Sequence, residues 1–200
     1  PQLSSADPAG HADAETHESA GLRTSRLEET SAPGIGDKLR RAGWKLVWAM
    51  LYRPSPTIAH AWRRAVLRAF GATVGEGAHP YPSAKIWAPW NLEMGPGSCL
   101  GPGSDCYSAT RISLGTDCVV SQGVHLCSAS HDFRRSSFPL VTAPIIVGTR
   151  AWIAAEAFIG PGVHVGDDAV VGARSVVTKD VASGRIVAGN PAQEIGKRFP

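Results

Sequence analysis

Val147-Gly148-Thr149-Arg150-Ala151-Trp152, Ile153-Ala154-Ala155-Glu156-Ala157-Phe158, Ile159-Gly160-Pro161-Gly162-Val163-His164, Val165-Gly166-Asp167-Asp168-Ala169-Val170 and Val171-Gly172-Ala173-Arg174-Ser175-Val176 follow one another as five hexads in a single phase. Each opens on an aliphatic residue, continues with Gly or Ala, and sets a small or modest residue fifth. A period of six fits neither the roughly 3.6-residue repeat of a helix nor the two-residue alternation of a strand. It fits a solenoid in which each hexad supplies one short strand and one corner, with the aliphatic residues stacked inside. Gly or Ala in second place is expected because the corner leaves little room for a side chain and calls for backbone angles open to glycine. The rule reappears earlier at Val74-Gly75, Leu100-Gly101, Leu114-Gly115 and Val120-Ser121, with two-residue gaps near Met94 and Leu114 that shift the phase.

Upstream of the hexads the character of the chain changes twice. Residues 1–36 are rich in Ala, Ser, Glu, Thr, Pro and Gly, lack aromatic residues and show no periodic apolar face, so they are expected to be disordered. Residues 37–71 read as a helical hairpin. Its first helix is N-capped by Asp37 and carries Leu39, Trp44, Leu46, Val47, Trp48, Met50 and Leu51 among Lys38, Arg40, Arg41 and Lys45. Pro54 and Pro56 break it. A second helix, about Ile58 to Phe70, carries Trp62, Val66, Leu67 and Phe70 with Arg63, Arg64 and Arg68, and Gly71 ends it. Two readings stand: the apolar stripes pack on the main domain, or the hairpin holds an anionic membrane surface. The solenoid then occupies 72–192, leaving 193–200 as a tail.

At 200 residues the chain has room for one principal core and an appendage. Its net charge of +3 is dispersed, so no nucleic-acid partner is expected. Cys99, Cys106, Cys118 and Cys127 form no C-x-x-C pair, which argues against a zinc or redox site and for reduced, buried thiols. With neither a secretory signal pattern nor an apolar run of roughly 18 residues, a cytoplasmic location is expected.

The repeat stops after Leu126, and residues 132–143 interrupt it as a loop projecting from one corner. Long excursions from a rigid scaffold commonly carry function. His131 stands where this loop leaves the coil, a suitable address for a general base, since imidazole with an unperturbed pKa near 6.5 accepts protons at neutral pH. Asp132, or another nearby acid, could fix its tautomer. Asp105, about one coil earlier, is expected to line a pocket for an acceptor molecule. Arg134 and Arg135 suit either an acidic acceptor or a hydrated loop tip, and His79, His125 and His164 read as solvated outward residues with no metal-ligand grouping.

The runs Arg53-Pro54-Ser55-Pro56, Ile86-Trp87-Ala88-Pro89-Trp90-Asn91-Leu92, Ser130-His131-Asp132, Trp152-Ile153-Ala154-Ala155, Val176-Val177-Thr178-Lys179-Asp180 and Gly189-Asn190-Pro191-Ala192 give the chain a resemblance to the hexapeptide-repeat acyltransferases. Within that family it is similar to the branch of colanic acid and galactoside O-acetyltransferases, over about Lys38 to Arg198. The resemblance implies a left-handed parallel β-helix, assembled as a homotrimer with sites in the clefts between subunits. It implies acetyl-CoA as the acyl donor, no metal, and a sugar or polysaccharide precursor as acceptor. It also implies that the Ala155 N–H is an oxyanion donor, that Trp152 lies against the pantetheine arm, that Ala173 pairs with the pantetheine amides, and that Thr178 and Lys179 sit near the nucleotide. From periodicity alone Trp152 is an exposed corner aromatic. Gln193 stands where relatives often carry a basic residue, a loss that Lys197 or Arg198 could compensate. A lipid-borne acceptor would give the hairpin a reason to sit at the inner face of a membrane. Acetylation of serine or another small alcohol, and a non-catalytic β-helix scaffold, are the competing readings.

Overall fold

The computed structural model describes residues 27–30 and 34–199, and in it the six-residue period becomes a three-faced, left-handed parallel β-helix of about six turns. Face one stacks Thr73–Val74, Leu92–Met94, Ile112–Leu114, Ile145–Val147 and His164–Val165. Face two stacks His79–Pro80, Cys99–Leu100, Val119–Val120, Trp152–Ile153, Val170–Val171 and Arg185–Gly189. Face three stacks Lys85–Ile86, Asp105–Tyr107, His125–Cys127, Phe158–Ile159 and Val176–Val177. The aliphatic hexad openers point inward in register: Val74, Met94, Leu114, Val147 and Val165 on face one, and Ile86, Cys106, Leu126, Ile159 and Val177 on face three, all buried. A buried aliphatic side chain contributes roughly 1.5–3 kcal/mol, so this interior accounts for much of the stability. Burial pushes the Cys106 and Cys118 thiols up to about 12, which keeps them protonated and inert.

The two reasons given for glycine in second place separate in the structure. Gly148 has ordinary backbone angles, but a Cβ on it would lie 2.6 Å from Asp167 N, and one on Gly115 would lie 2.7 Å from Gly148 C. Room between coils is therefore what excludes the side chain. The left-handed angle falls two residues later, and in the upper coils it is held by Arg150 (φ 55°), Glu156 (60°), Gly162 (77°), Asp168 (57°) and Arg174 (59°). Non-glycine residues tolerate it here at a modest cost each.

The phase shifts also find a physical place. Thr73 pairs with Glu93 and Glu93 with Ser113, whereas Ile146 pairs with His164, so the lower coils are two residues longer than the upper one. The additional residues sit at the corner between faces three and one, in a 3-10 turn at Pro89–Asn91 and again between Tyr107 and Ile112. Ser108 Oγ and Asn91 Nδ2 tie the two corners together through the backbone of Ala88, Ser108 and Ala109.

At five positions of the first coil the hydrogen bonds run upward: Gly75, His79, Tyr81, Lys85 and Trp87 donate their N–H groups to Met94, Ser98, Leu100, Ser104 and Cys106 in the next coil, while corner residues such as Gly97 donate back down, to Glu76 O. The equivalent carbonyls of the first coil, on Val74, Ala78, Pro80, Ala84 and Ile86, have no coil beneath them. A helical hairpin supplies the missing donors. Its helix α1 (Ile35–Val47) continues through a π-helical turn at Trp48–Tyr52, and α2 spans His60–Ala69. Arg68 donates to Val74 O, Arg64 to Ala78 O, Arg63 Nε to Pro80 O at 2.6 Å, Trp48 Nε1 to Ala84 O at 2.9 Å and Trp44 Nε1 to Ile86 O at 2.7 Å. Arg63 is fully buried, and its remaining donors reach Ser55 Oγ, Pro56 O and Thr57 O, which explains the Arg53-Pro54-Ser55-Pro56 run as a cradle for a guanidinium. The arginines of the second helix thus face the solenoid and not a membrane.

Several sequence expectations need correction. Residues 1–26 and 31–33, read as disordered, lie outside the described residues, but Glu28–Glu29, inside the same 1–36 segment, form a strand paired antiparallel with Leu140–Thr142. The first helix begins at Ile35 with Gly34 as its N-cap; Asp37 sits in the first turn and pairs with Arg41 at 3.0 Å. The loop 132–143 is a β-hairpin whose arms are Ala129–His131 and Leu140–Thr142. The tail from 193 is part of a strand, Ala192–Lys197, that folds back antiparallel on Arg185–Gly189.

Trp44→Phe keeps the ring but leaves the buried Ile86 carbonyl without a donor, and we expect it to lower the unfolding free energy by about 2 kcal/mol. Trp62→Phe, at an indole 48% exposed, should cost less than about 1 kcal/mol. Urea denaturation of the two variants checks the difference.

Candidate active site

The hairpin that carries His131 leaves face three after Cys127 and returns to face one at Ile145, growing from the same corner that holds the extra residues below. Ser130 pairs with Val141 and His131 with Leu140. On its outer side the Glu28–Glu29 strand adds a third member, reinforced by Thr30 N–H to Leu140 O at 3.0 Å, a 2.7 Å hydrogen bond between Thr30 Oγ1 and Thr142 Oγ1, and Arg135 Nη1 donating to Glu29 Oε2 at 2.5 Å. Of the loop's two arginines, Arg135 is therefore engaged by this strand.

His131 is exposed at the end of its arm, and its ring stacks flat on Phe138, 4.3 Å between centroids and 5° between planes. Nδ1 lies 3.0 Å from the Phe138 carbonyl oxygen. A carbonyl can only accept, so this contact calls for a proton on Nδ1, and in that neutral tautomer the lone pair is on Nε2. Phe138 holds a left-handed conformation (φ 44°), an uncommon angle for an aromatic residue, and that angle accompanies the contact. Asp132 does not make this contact: its Oδ1 accepts the Arg134 N–H at 3.1 Å and closes the hairpin tip. The orienting group was not evident beforehand because it is a backbone atom seven residues away.

Asp105 lies on face three, in register with Lys85 below and His125 above. It lines a cleft of about 370 Å³ between face three and α1, walled by Trp44, Trp48, Trp87, Tyr107, Lys45 and Lys85. Trp87 and Tyr107 pack ring against ring at 5.0 Å. His125, read as solvated, is half-buried with its ring edge-on to Phe158 at 5.5 Å, while His79 and His164 are exposed as expected. Trp44, Trp48 and Trp87 were missed as walls because they come from helix and corner positions that the hexad frame does not align.

Trp152, Ala155 and Ala173 lie on a different edge. Trp152 is 46% exposed on face two with Nε1 donating to Ser121 Oγ at 3.0 Å, and Ala155 and Ala173 occupy the corner between faces two and three in successive coils, linked by Arg174 N–H to Ala155 O at 2.9 Å. The Ala155 N–H has no acceptor among the described residues. Lys179 is exposed and shares a cavity of about 160 Å³ with Asp180, Arg185, Gln193 and Glu194. Arg198 does not join it: its guanidinium donates to Arg150 O, and its N–H to Gly184 O. Arg185, which sequence reading passed over, is the second cation there. Within one chain the candidate residues are thus divided between the two edges of face three. Among the described residues no group of three or more His, Cys, Asp or Glu could hold a metal ion, and no helix is long and apolar enough to cross a membrane.

The chain is thus a three-faced β-helix with a histidine-bearing hairpin at one corner and the Ala154-Ala155 turn at another. Residues 144–179 match the family model described as the hexapeptide repeat of succinyl-transferase. The chain is 37% identical over 163 residues to WcaF of Escherichia coli strain K12, a protein assigned to colanic acid biosynthesis as an acetyltransferase; the match covers 82% of this chain and 90% of that protein. Among solved structures, a maltose O-acetyltransferase from Clostridium difficile 630 superposes with a TM-score of 0.77 at 23% identity, over 91% of this chain and 98% of that one. A hexapeptide-repeat acetyltransferase from Vibrio cholerae, solved with acetyl coenzyme A, does so with a TM-score of 0.77 at 20% identity, over 89% and 99%. The chain belongs to the hexapeptide-repeat acetyltransferases.

A chain lacking residues 1–30 should keep its solenoid, with a denaturation midpoint shifted by less than the equivalent of about 1 kcal/mol, while amide exchange across 138–143 rises by about tenfold. Hydrogen-exchange mass spectrometry reads both.

Proposed function

We propose that the protein transfers an acetyl group from acetyl-CoA to a sugar hydroxyl of a polysaccharide precursor, with His131 as general base. The observation that carries this reading is the His131 Nδ1 contact with Phe138 O, which leaves Nε2 as an outward proton acceptor on a rigid arm. In this mechanism Nε2 takes the proton from the acceptor hydroxyl as its oxygen attacks the thioester carbonyl carbon. The carbonyl electron pair moves onto oxygen, where the Ala155 N–H donates to it. Collapse expels the CoA thiolate, which recovers the proton from the imidazolium. Atoms and charge balance without a covalent enzyme intermediate.

The cleft at Asp105 suits a sugar better than serine. Trp48, Trp87 and Tyr107 offer partly exposed aromatic walls for pyranose faces, and Asp105 and Lys85 offer polar partners for hydroxyls. Trp152 and Ala173 would line the pantetheine arm, and Thr178, Lys179 and Arg185 the nucleotide end. Since Trp152, Ala155 and Ala173 lie toward the edge of face three opposite to the His131 hairpin, a homotrimer that sets one chain's His131 edge against the next chain's Trp152 edge would complete each site.

The membrane reading gains a defined surface. Ile35, Leu39, Leu46 and Met50 are 61–78% exposed on one side of α1, opposite the buried Trp44, and Leu51, Ile58 and Trp62 extend the patch across the hairpin. Exposed apolar area of this kind, flanked by Lys38, Arg41 and Lys45, fits the interfacial region of an anionic bilayer.

His131→Ala should lower kcat for acetyl transfer to a glycoside by about a hundredfold or more with acetyl-CoA affinity unchanged. Unchanged kcat would remove His131 from the mechanism. Leu39→Ser/Leu46→Ser/Met50→Ser should weaken partition to vesicles of phosphatidylglycerol and phosphatidylethanolamine by at least about tenfold in a flotation assay. Equal partition would remove the membrane contact.

A further inference from the structure

We propose that Lys38, Arg41 and Lys45, gathered around Trp87 beside the Asp105 cleft, form a phosphate-binding subsite for an acceptor sugar carried on a phosphate or diphosphate. The assignment rests on the reading of the Asp105 cleft as the acceptor site, and it names the class of acceptor.

These residues line a second cavity, of about 260 Å³, whose walls are Lys38, Arg41, Ala42, Lys45 and Trp87. Lys45 and Trp87 also line the Asp105 cleft, so the two spaces share a wall. The cations are spaced three and four residues apart, which places them in one row along a helix. At about 100° per residue that row falls between the buried Trp44 and half-buried Trp48 and the exposed Ile35, Leu39 and Leu46. The Arg41 guanidinium lies 5.1 Å from the Trp87 ring and Lys45 Nζ 5.7 Å from it, so the indole holds both heads at the cavity mouth.

What sets this row apart is that its charge is left for a ligand. Elsewhere on the hairpin, Arg40, Arg63, Arg64 and Arg68 donate to backbone carbonyls. Arg41 shares Asp37 at 3.0 Å, but Lys38 and Lys45 have no carboxylate partner among the described residues, and no acid lines the 260 Å³ cavity. Lys85 adds a further cation just inside the cleft, against Asp105. A group with two negative charges and several acceptor oxygens matches two flexible ammonium groups and one guanidinium fork. Its place is also the right one: a sugar in the Asp105 cleft would have its anomeric phosphate over the cation row, and any lipid beyond it would meet the apolar side of α1.

The test uses the full chain without lipid, titrated calorimetrically with glucose 1-phosphate and galactose 1-phosphate, the matching methyl glycosides, glucuronate and inorganic phosphate. We expect a sugar phosphate to bind at least about tenfold tighter than its methyl glycoside and than inorganic phosphate. Lys38→Glu/Lys45→Glu should erase that preference, and Lys38→Arg/Lys45→Arg should retain it. With no lipid present, a membrane headgroup cannot account for the effect. Equal binding of phosphate and glycoside, binding of glucuronate or bare phosphate as tight as that of the sugar phosphate, a preference that survives charge reversal, or no binding by any of them would each overturn the subsite. Acetyl-CoA turnover, followed in the same samples, keeps the two readings apart. A charge-dependent preference without turnover would sink acetyl transfer and leave the subsite, whereas turnover on neutral glycosides at equal kcat/KM would sink the subsite alone.

Discussion

Carbonyls on the underside of each coil accept N–H groups from the coil below, and the matching row on the first coil is the constraint on which the rest of the molecule is built. A coil in the middle is satisfied on both sides, but the first coil is left with a row of carbonyls facing nothing, and buried carbonyls without donors cost about 1–3 kcal/mol each. Five such oxygens are answered by five side chains from the helical hairpin, three arginines and two tryptophans. The hairpin is therefore an integral end of the fold, and its amphipathic character arises from two demands at once. One side of α1 brings indoles to the carbonyl row, and the others remain available for the chemistry of the surface.

The site depends on that arrangement. With α1 fixed against the first coil, Trp44, Trp48 and Lys45 become walls of the cleft whose floor is Asp105. Above it, the corner between faces three and one releases the hairpin that orients His131 through a carbonyl and an aromatic ring. Ala155 and Ala173 occupy the next corner, where the Ala155 N–H has no acceptor among the described residues.

Much of this was legible in the hexads. Five blocks in phase gave the solenoid, its inward residues, and the place where the repeat is interrupted. His131 stood out because it sits at that interruption, and Asp105 because it lies one coil below. The π-turn, the cradle around Arg63 and the Phe138 carbonyl were hidden, since each depends on contacts between residues unrelated by the period. Helical amphipathicity could not tell Arg63 from Lys45: both read as cations beside an apolar stripe, yet one is fully buried among carbonyls and the other lines an open cavity. Asp132 misled because sequence adjacency to a histidine suggests a partner, while the alternation of an extended arm turns neighbouring side chains apart.

The two added residues at the corner between faces three and one have a wider meaning. Coils above and below stay in register although the chain between them varies from a tight turn to a full hairpin. That seam behaves as a modular port: its contents can lengthen or shorten without disturbing the strands on either side. The His131 hairpin and the Trp87 wall both belong to it. Change in what the enzyme accepts can thus be written into one corner of the prism while the other two keep the strict spacing that the close approach of coils demands.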